Sequence, residues 1–352
     1  MTAIAVRRLR SQLLAVPCAA PHDVVSHFGA MQAQDYLGAL WAVGARMREA
    51  VEGDVEQALA ERRIVRCWPM RGTLHFVAAE DVRWMLGLLA PRVLTRHRGR
   101  LERDFELDAR TLRRARSAVE KALQGGGAMT RPEIYAALEK GRISTRASRG
   151  LHILFALTHE RVLCFGARRG KQSTFVLLDE WLPPAPPRPR EEALADVARR
   201  YFRGHGPASV ADFMWWSGLT MKEANEAIAL AGPLPDPANV AATAAHKVHL
   251  LPPFDETTVG YRDRSPIVEP ELFQRVNAGG GMLNAVVLSA GRVVGTWKRT
   301  LRGQSVEIAV SPFRELTARE GRALEQAAAR YARFLGKSVA VTKQLPALPS
   351  PP

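Results

Sequence analysis

Gln32 and Gln34 are the residues of this chain whose type and spacing most directly suggest chemistry. They stand two apart in Met31-Gln-Ala-Gln-Asp-Tyr-Leu-Gly-Ala-Leu-Trp41. Side chains at i and i+2 share a face only on extended backbone; on a helix they diverge by about 200°. The pair is therefore expected on a loop or short extended segment leaving a helix, where two amides could converge on one point. An amide can orient a water, donate to a developing charge or read a base edge, but it cannot serve as a general base near neutral pH. The reaction it serves must need little proton transfer. Two surface or capping glutamines would show the same spacing, so the surrounding elements have to decide.

Competing chemistries lack their usual supports. The chain has no Gly-x-x-x-x-Gly-Lys-Ser/Thr, no Gly-x-Gly-x-x-Gly after a strand, no Gly-x-Ser-x-Gly and no His-Glu-x-x-His. Asp35, Asp255, Asp263 and several glutamates remain as acids, but nothing marks two of them as a catalytic pair. Cys18, Cys67 and Cys164 lie far apart with no Cys-x-x-Cys, which supports neither a disulfide framework nor a metal site and fits a reducing cytoplasm. No cofactor is expected. The first thirty residues hold no signal-peptide core, and no run of eighteen apolar residues occurs, so neither export nor a membrane is implied.

The charge balance points to a partner. Lys and Arg outnumber Asp and Glu by 50 to 35, giving +15 and a sequence pI near 10.5. A polyanion, nucleic acid first, answers such an excess. Only eight of the cations are Lys, and a codon preference could choose Arg over Lys without creating the surplus. From Arg83 to Arg149 there are 16 Lys/Arg against 7 Asp/Glu. Same-sign crowding of that degree costs stability unless phosphates lie against it.

Helical periodicity covers residues 4–14, 23–27 and 55–62, followed by strand-like segments 64–68 and 72–77. Helix, helix, helix, hairpin is the order of a winged helix. Arg71, Thr73 and His75 alternate onto one face of its wing and are candidate DNA contacts, although a solvated wing would carry the same residues. A further helix, 81–101, is expected to break at Pro91. An internal repeat then aligns Gly127-Ala-Met-Thr-Arg-Pro-Glu-Ile with Gly206-Pro-Ala-Ser-Val-Ala-Asp-Phe. Thr130 with Glu133, and Ser209 with Asp212, read as capping-box starts. Helices at 111–123, 148–159, 192–203 and 221–230 flank the two copies, and a second wing is expected at 161–165 and 173–178. Three tandem winged-helix modules result, at 1–82, 83–182 and 191–245, the second and third joined by the proline-rich stretch 183–190. Residues 232–245 form a second loose connection.

Strands at 247–251, 285–289, 292–297 and 306–310 and a helix at 317–335 make a small β domain, 246–345, before a tail, 346–352, expected to be disordered. Its hairpin turns near Arg302-Gly303, so Lys298, Arg299 and Arg302 crowd the tip with Trp297 just below. Such a tip suits insertion into a groove, although an ordinary exposed turn with a core Trp has the same pattern. The fold class is α+β.

Gln32-Ala-Gln34 with Leu40-Trp41, Arg71-Gly-Thr-Leu-His75, Leu251-Pro-Pro-Phe-Asp255, Gly260-Tyr-Arg-Asp-Arg264 and Gly295-Thr-Trp-Lys-Arg299 together resemble the bacterial AlkZ/YcaQ family of winged-helix DNA glycosylases. The individual motifs are short; their order and spacing carry the resemblance over nearly the whole chain. It implies three tandem winged helices followed by a small β-barrel-like domain, and a catalytic motif of Gln, an apolar residue, then Gln or Asp. The implied activity is removal of cationic N7- or N3-alkylated purines, with the Gln-Ala-Gln form linked to bulky adducts and interstrand crosslinks. A monofunctional glycosylase, monomeric, cytoplasmic and nucleoid-associated, acting on damaged double-stranded DNA with no metal and no membrane, is the expectation. Gln32 and Gln34 would position water and support the oxocarbenium-like sugar. The rival is a non-catalytic winged-helix transcription regulator, against which stands the absence of any dimerisation heptad.

Overall fold

The computed structural model describes residues 3–237, 247–279 and 282–343. Helix α1 (Ala3–Ser11) and α2 (Pro21–Phe28) lead to Gly29, whose φ of 81° turns the chain into strand β1 (Ala30–Gln32). Next come α3 (Tyr36–Gly44), α4 (Glu52–Ala60) and the hairpin β2 (Ile64–Met70) and β3 (Thr73–Ala78). Strand β1 pairs with the free edge of β3, placing Gln32 opposite His75, in a three-stranded sheet of order β1-β3-β2. Gln32 has the extended backbone expected of the pair, whereas Gln34 lies past the strand end, in the bend before α3. Helix α3, which the sequence reading left out, is almost wholly apolar and buried, and so lacks the amphipathic period that marks a surface helix.

Helix α5 (Ala79–Phe105) runs without interruption through Pro91, correcting the expected break. Proline deletes one hydrogen bond, and the twenty-seven residues of this helix, anchored along a buried face from Val82 to Leu101, retain the rest. Helix α6 (Ala109–Leu123) follows, then β4 (Met129–Thr130), α7 (Arg131–Lys140), α8 (Arg149–His159), β5 (Leu163–Phe165) and β6 (Thr174–Leu177). Strands β4, β6 and β5 repeat the arrangement of the first sheet, with β4 on the free edge of the wing. The short α9 (Leu178–Trp181) precedes α10 (Arg190–His205), α11 (Val210–Ser217) and α12 (Met221–Ala231). Both capping-box acids serve as read: Glu133 accepts from Thr130 N–H at 2.6 Å, and Asp212 from Ser209 N–H at 3.0 Å. Residues 232–237, which follow α12 directly, form no strand, so the third unit shows no wing among the described residues before β7. Part of the loose connection and the tail from residue 344 lie outside them.

The C-terminal region holds β7 (Val248–Leu251), a β-ladder of β8 (Asn277–Gly279) with β9 (Met282–Leu283), then β10 (Val286–Ser289), β11 (Arg292–Arg302), β12 (Ser305–Pro312), a long helix Ala318–Phe334 and β13 (Ser338–Lys343). Its main sheet has order β13-β12-β11-β10-β7 and is open among the described residues, which corrects the barrel-like expectation. The parallel strand β13 sits at the outer edge of β12, and its mostly exposed residues gave no alternating signal. This region is not separate from the N-terminal helices. Trp41 of α3 donates its indole N–H to Leu250 O at 2.6 Å and packs on Tyr331 and Phe334 in one continuous core.

Candidate active site

Gln32 ends β1 with 9% of its surface exposed, whereas Gln34 is exposed. Between them Ala33 keeps the ladder going, its N–H donating to Leu74 O at 2.7 Å. At Gln34 the side chain replaces the main chain: Oε1 accepts the Leu74 N–H at 3.1 Å. A backbone N–H can only donate, so the end of the Gln34 amide facing it must be oxygen. The same reasoning fixes Gln32, whose Oε1 lies 3.4 Å from Nη2 of Arg71, a group with no acceptor capacity. Each carbonyl is thus engaged by an obligate donor and keeps one lone pair, and neither Nε2 has a protein partner among the described residues. The pair shares β3 as its support but no common partner.

Arg71 occupies the first corner of the β2–β3 turn at φ 56°, followed by Gly72 at 77°. Two positive φ values in a two-residue turn suit a twisted hairpin, but a non-glycine residue there carries roughly 1–2 kcal/mol of strain. That strain aims the guanidinium back at Gln32 and at His75 Nε2, 3.5 Å away. His75 donates through Nδ1 to Thr73 O at 2.9 Å, which leaves Nε2 as the acceptor. Burial, reinforced by the charge of Arg71, pushes the imidazole down to about 3, so it is neutral across the physiological range. The expected wing face is therefore not solvated: His75 is fully buried, and Thr73 Oγ1 and Arg71 Nε are buried without a hydrogen-bond partner.

The sequence reading missed the groups that hold the segment. Glu256 opens a short helix, Glu256–Val259, and is 1% exposed. Its Oε1 accepts the Gln32 N–H at 2.7 Å, and its Oε2 faces His205 Nε2 at 2.9 Å and Trp216 Nε1 at 3.1 Å. Burial would raise the carboxyl, but the hydrogen bond and charge of His205, with the Gln32 N–H, hold it below the ordinary glutamate value. Gly260 makes room for this pair, since a Cβ there would lie 2.4 Å from the His205 ring. The preceding Asp255 forms a fully buried bidentate pair with Arg46 at 2.7 and 2.8 Å. The second clamp is Arg66, whose Nε and Nη2 donate to Ala33 O at 3.1 and 2.8 Å between the rings of Tyr36 and Phe165. The one available signal was the acid after Leu251-Pro-Pro-Phe-Asp255, a carboxylate entering an otherwise apolar run.

The C-terminal hairpin reaches toward the same segment. Its turn falls at Arg302–Ser305 as read from the sequence, with Arg302 exposed there and 3.2 Å from Glu307; Lys298 is exposed too but pairs with Ala309 four residues down the ladder, so it does not crowd the tip. Arg299 is not free at the tip: it donates to Tyr331 Oη at 2.6 Å and lies 3.7 Å from Asp35, next in the chain to Gln34. Trp297 is core, its N–H bonded to Leu251 O at 2.8 Å. In the basic 83–149 stretch, Arg96, Arg98, Arg110 and Arg113 are exposed and have no ion pair among the described residues. No metal-binding cluster and no helix long and apolar enough to cross a membrane occur among the described residues.

Two helical units with edge-paired wings, and an amide pair at the edge of the first wing, are the arrangement the resemblance to AlkZ-like DNA glycosylases led one to expect. The family described as DNA glycosylase AlkZ-like matches residues 25–334, and the chain belongs to it. Among its relatives is the interstrand DNA cross-link repair glycosylase of Streptomyces sahachiroi, 27% identical over 90% of this chain and 91% of that protein. The solved structure of the Streptomyces sahachiroi DNA glycosylase AlkZ shares the fold, with a TM-score of 0.75 at 24% identity, covering 96% of this chain and 98% of that one.

Proposed function

We propose that this glycosylase hydrolyses the N-glycosidic bond of purines made cationic by alkylation at N7 or N3, including bulky adducts and interstrand crosslinks, with Gln32 and Gln34 as its catalytic pair. The observation that supports this most is the fixed orientation of the two amides, each with a free NH2 and one free carbonyl lone pair. A lone pair can hold the attacking water or face the oxocarbenium-like sugar, while the NH2 groups donate to the departing base. An alkylated purine already carries the positive charge that a general acid would otherwise have to supply, so the absence of a proton donor is compatible with the reaction. His75 is neutral and buried, and Glu256 is sealed behind Gln32; neither offers a proton to substrate. Among the described residues no lysine is hydrogen-bonded to the pair, which is compatible with hydrolysis by water without a covalent amine intermediate.

We read residues 1–82, 83–182 and 191–245 as three DNA-holding modules and 246–345 as the unit that presents the hairpin. Lys298, Arg302 and the unpaired arginines of the basic stretch would contact phosphates, while Arg71, Thr73, His75 and Arg299 act nearer the amides. The chain would work as a monomer on damaged duplex. Incubating it with duplex DNA carrying 7-methylguanine should release the free base and leave strands that break only after alkali. Breaks without alkali would argue for a lyase step, and retained base with sequence-specific binding would argue for a regulator.

A further inference from the structure

Gln34 is shared between the catalytic segment and a recess of about 450 Å³ between the β2–β3 hairpin and the helices and wing that follow α6. Its inner surface is mainly apolar: Trp68, Leu74, Leu154 and Phe175 are buried there with Phe165 beside them, Thr130 is the one buried polar side chain of the lining, and Arg131, Gln172 and Ser173 lie nearer solvent. The rings form a continuous wall, with Trp68 to Phe165 at 5.3 Å and Phe165 to Phe175 at 4.5 Å. Leu151 lies on the same recess with 42% of its surface exposed, although Ile153, Leu154, Ala156 and Leu157 of the same helix are buried and Phe155 is partly so. We propose that this recess receives the planar, apolar substituent of a bulky alkylated purine, and that it sets a preference for aromatic adducts over methyl groups. The inference rests on the assignment of Gln34 to the catalytic pair.

The chemistry of the purine links the two sites. N9, which bears the sugar, and N7 flank the single carbon C8, and N3 and N9 flank C4. A group attached at N7 or N3 therefore begins beside the bond being broken, and so beside the amide that acts on it. A flipped base would demand donors and acceptors at depth to read its edges. Here the buried surface is mainly aromatic and aliphatic, which suits stacking on a substituent. The size falls within the range of small-molecule pockets, roughly 300–1,000 Å³, and so exceeds what a methyl group can use.

The test compares single-turnover excision from two duplexes of one sequence, carrying 7-methylguanine or an N7-(naphthylmethyl)guanine. It uses the full chain, Leu151→Trp to fill the recess, and Leu151→Glu to place a charge on its wall at an exposed position. In both variants the naphthylmethyl-to-methyl rate ratio should fall at least tenfold. A smaller change in either folded variant, with wild type excising both bases, overturns the recess and leaves the glycosylase reading standing. Failure of the wild type to excise either base removes both.

Discussion

The Gln32–Gln34 segment and the β11–β12 hairpin tip both lie where DNA is expected, yet they are built on opposite principles. Around the glutamines the supporting groups, Arg66, Glu256, His75 and His205, are buried and bonded, and they come from as far as 224 residues along the chain from Gln32. On the hairpin, Arg302 is an exposed cation beside a two-residue turn and Lys298 another lower on the same strand. Buried polar groups cost free energy unless satisfied, so a network of them defines one geometry. Exposed cations define a charge rather than a geometry, and their contribution is screened by salt. The first arrangement suits a chemical step and the second suits holding a polyanion.

Glu256→Ala should break this contrast most severely, because it leaves His205 and the Gln32 N–H buried without their acceptor. Removing one member of a buried pair costs about 3–5 kcal/mol, measurable as a shift in the urea midpoint. Acid should come next. His27 and His159 are held near 4, and His75 and His249 near 3, each mainly by burial. A histidine whose folded value lies below its unfolded value takes up a proton on unfolding anywhere between the two. Stability therefore falls as pH drops below about 6.5, each group contributing up to about 1.4 kcal/mol per pH unit. The lowered carboxyl of Glu256 acts in the same sense at lower pH. A midpoint unchanged between pH 7 and 5 would show these rings to be solvated.

Smaller effects sharpen the comparison. Arg71→Gly removes the guanidinium from Gln32 and relieves the left-handed strain at the same time. Excision should fall roughly tenfold while stability stays within about 1 kcal/mol, since the two contributions to folding oppose each other. A loss of stability with full activity would make Arg71 merely structural. On the hairpin, Lys298→Ala and Arg302→Ala should each weaken binding a few-fold and reduce the salt slope of affinity by about one, with the single-turnover rate preserved.

What the sequence made legible was local. The extended backbone at Gln32, both wings, the capping boxes and the Arg302-Gly303 turn depend on neighbouring residues, and all were readable. What escaped depended on distance or on uniform burial. Helix α3 carries no period because it is buried nearly all round, and β13 none because most of its residues are exposed. Arg299 reads as a tip cation until its bond to Tyr331 is known, and Arg66 as a strand cation until Ala33 is placed beside it. The two amides were visible as a pair; the carboxylate behind them, joined only through the folded chain, was not.

The central claim is that the two amides act on the bond and not on binding. Single-turnover excision of 7-methylguanine by the Gln32→Ala plus Gln34→Ala double variant, beside its affinity for the same duplex, tests this most directly. Loss of preorganised polar groups of this kind costs on the order of 100- to 1,000-fold in rate, so a drop of at least that size with affinity within about threefold is expected. A double variant that excises at the wild-type rate, or whose loss lies wholly in affinity, would contradict it.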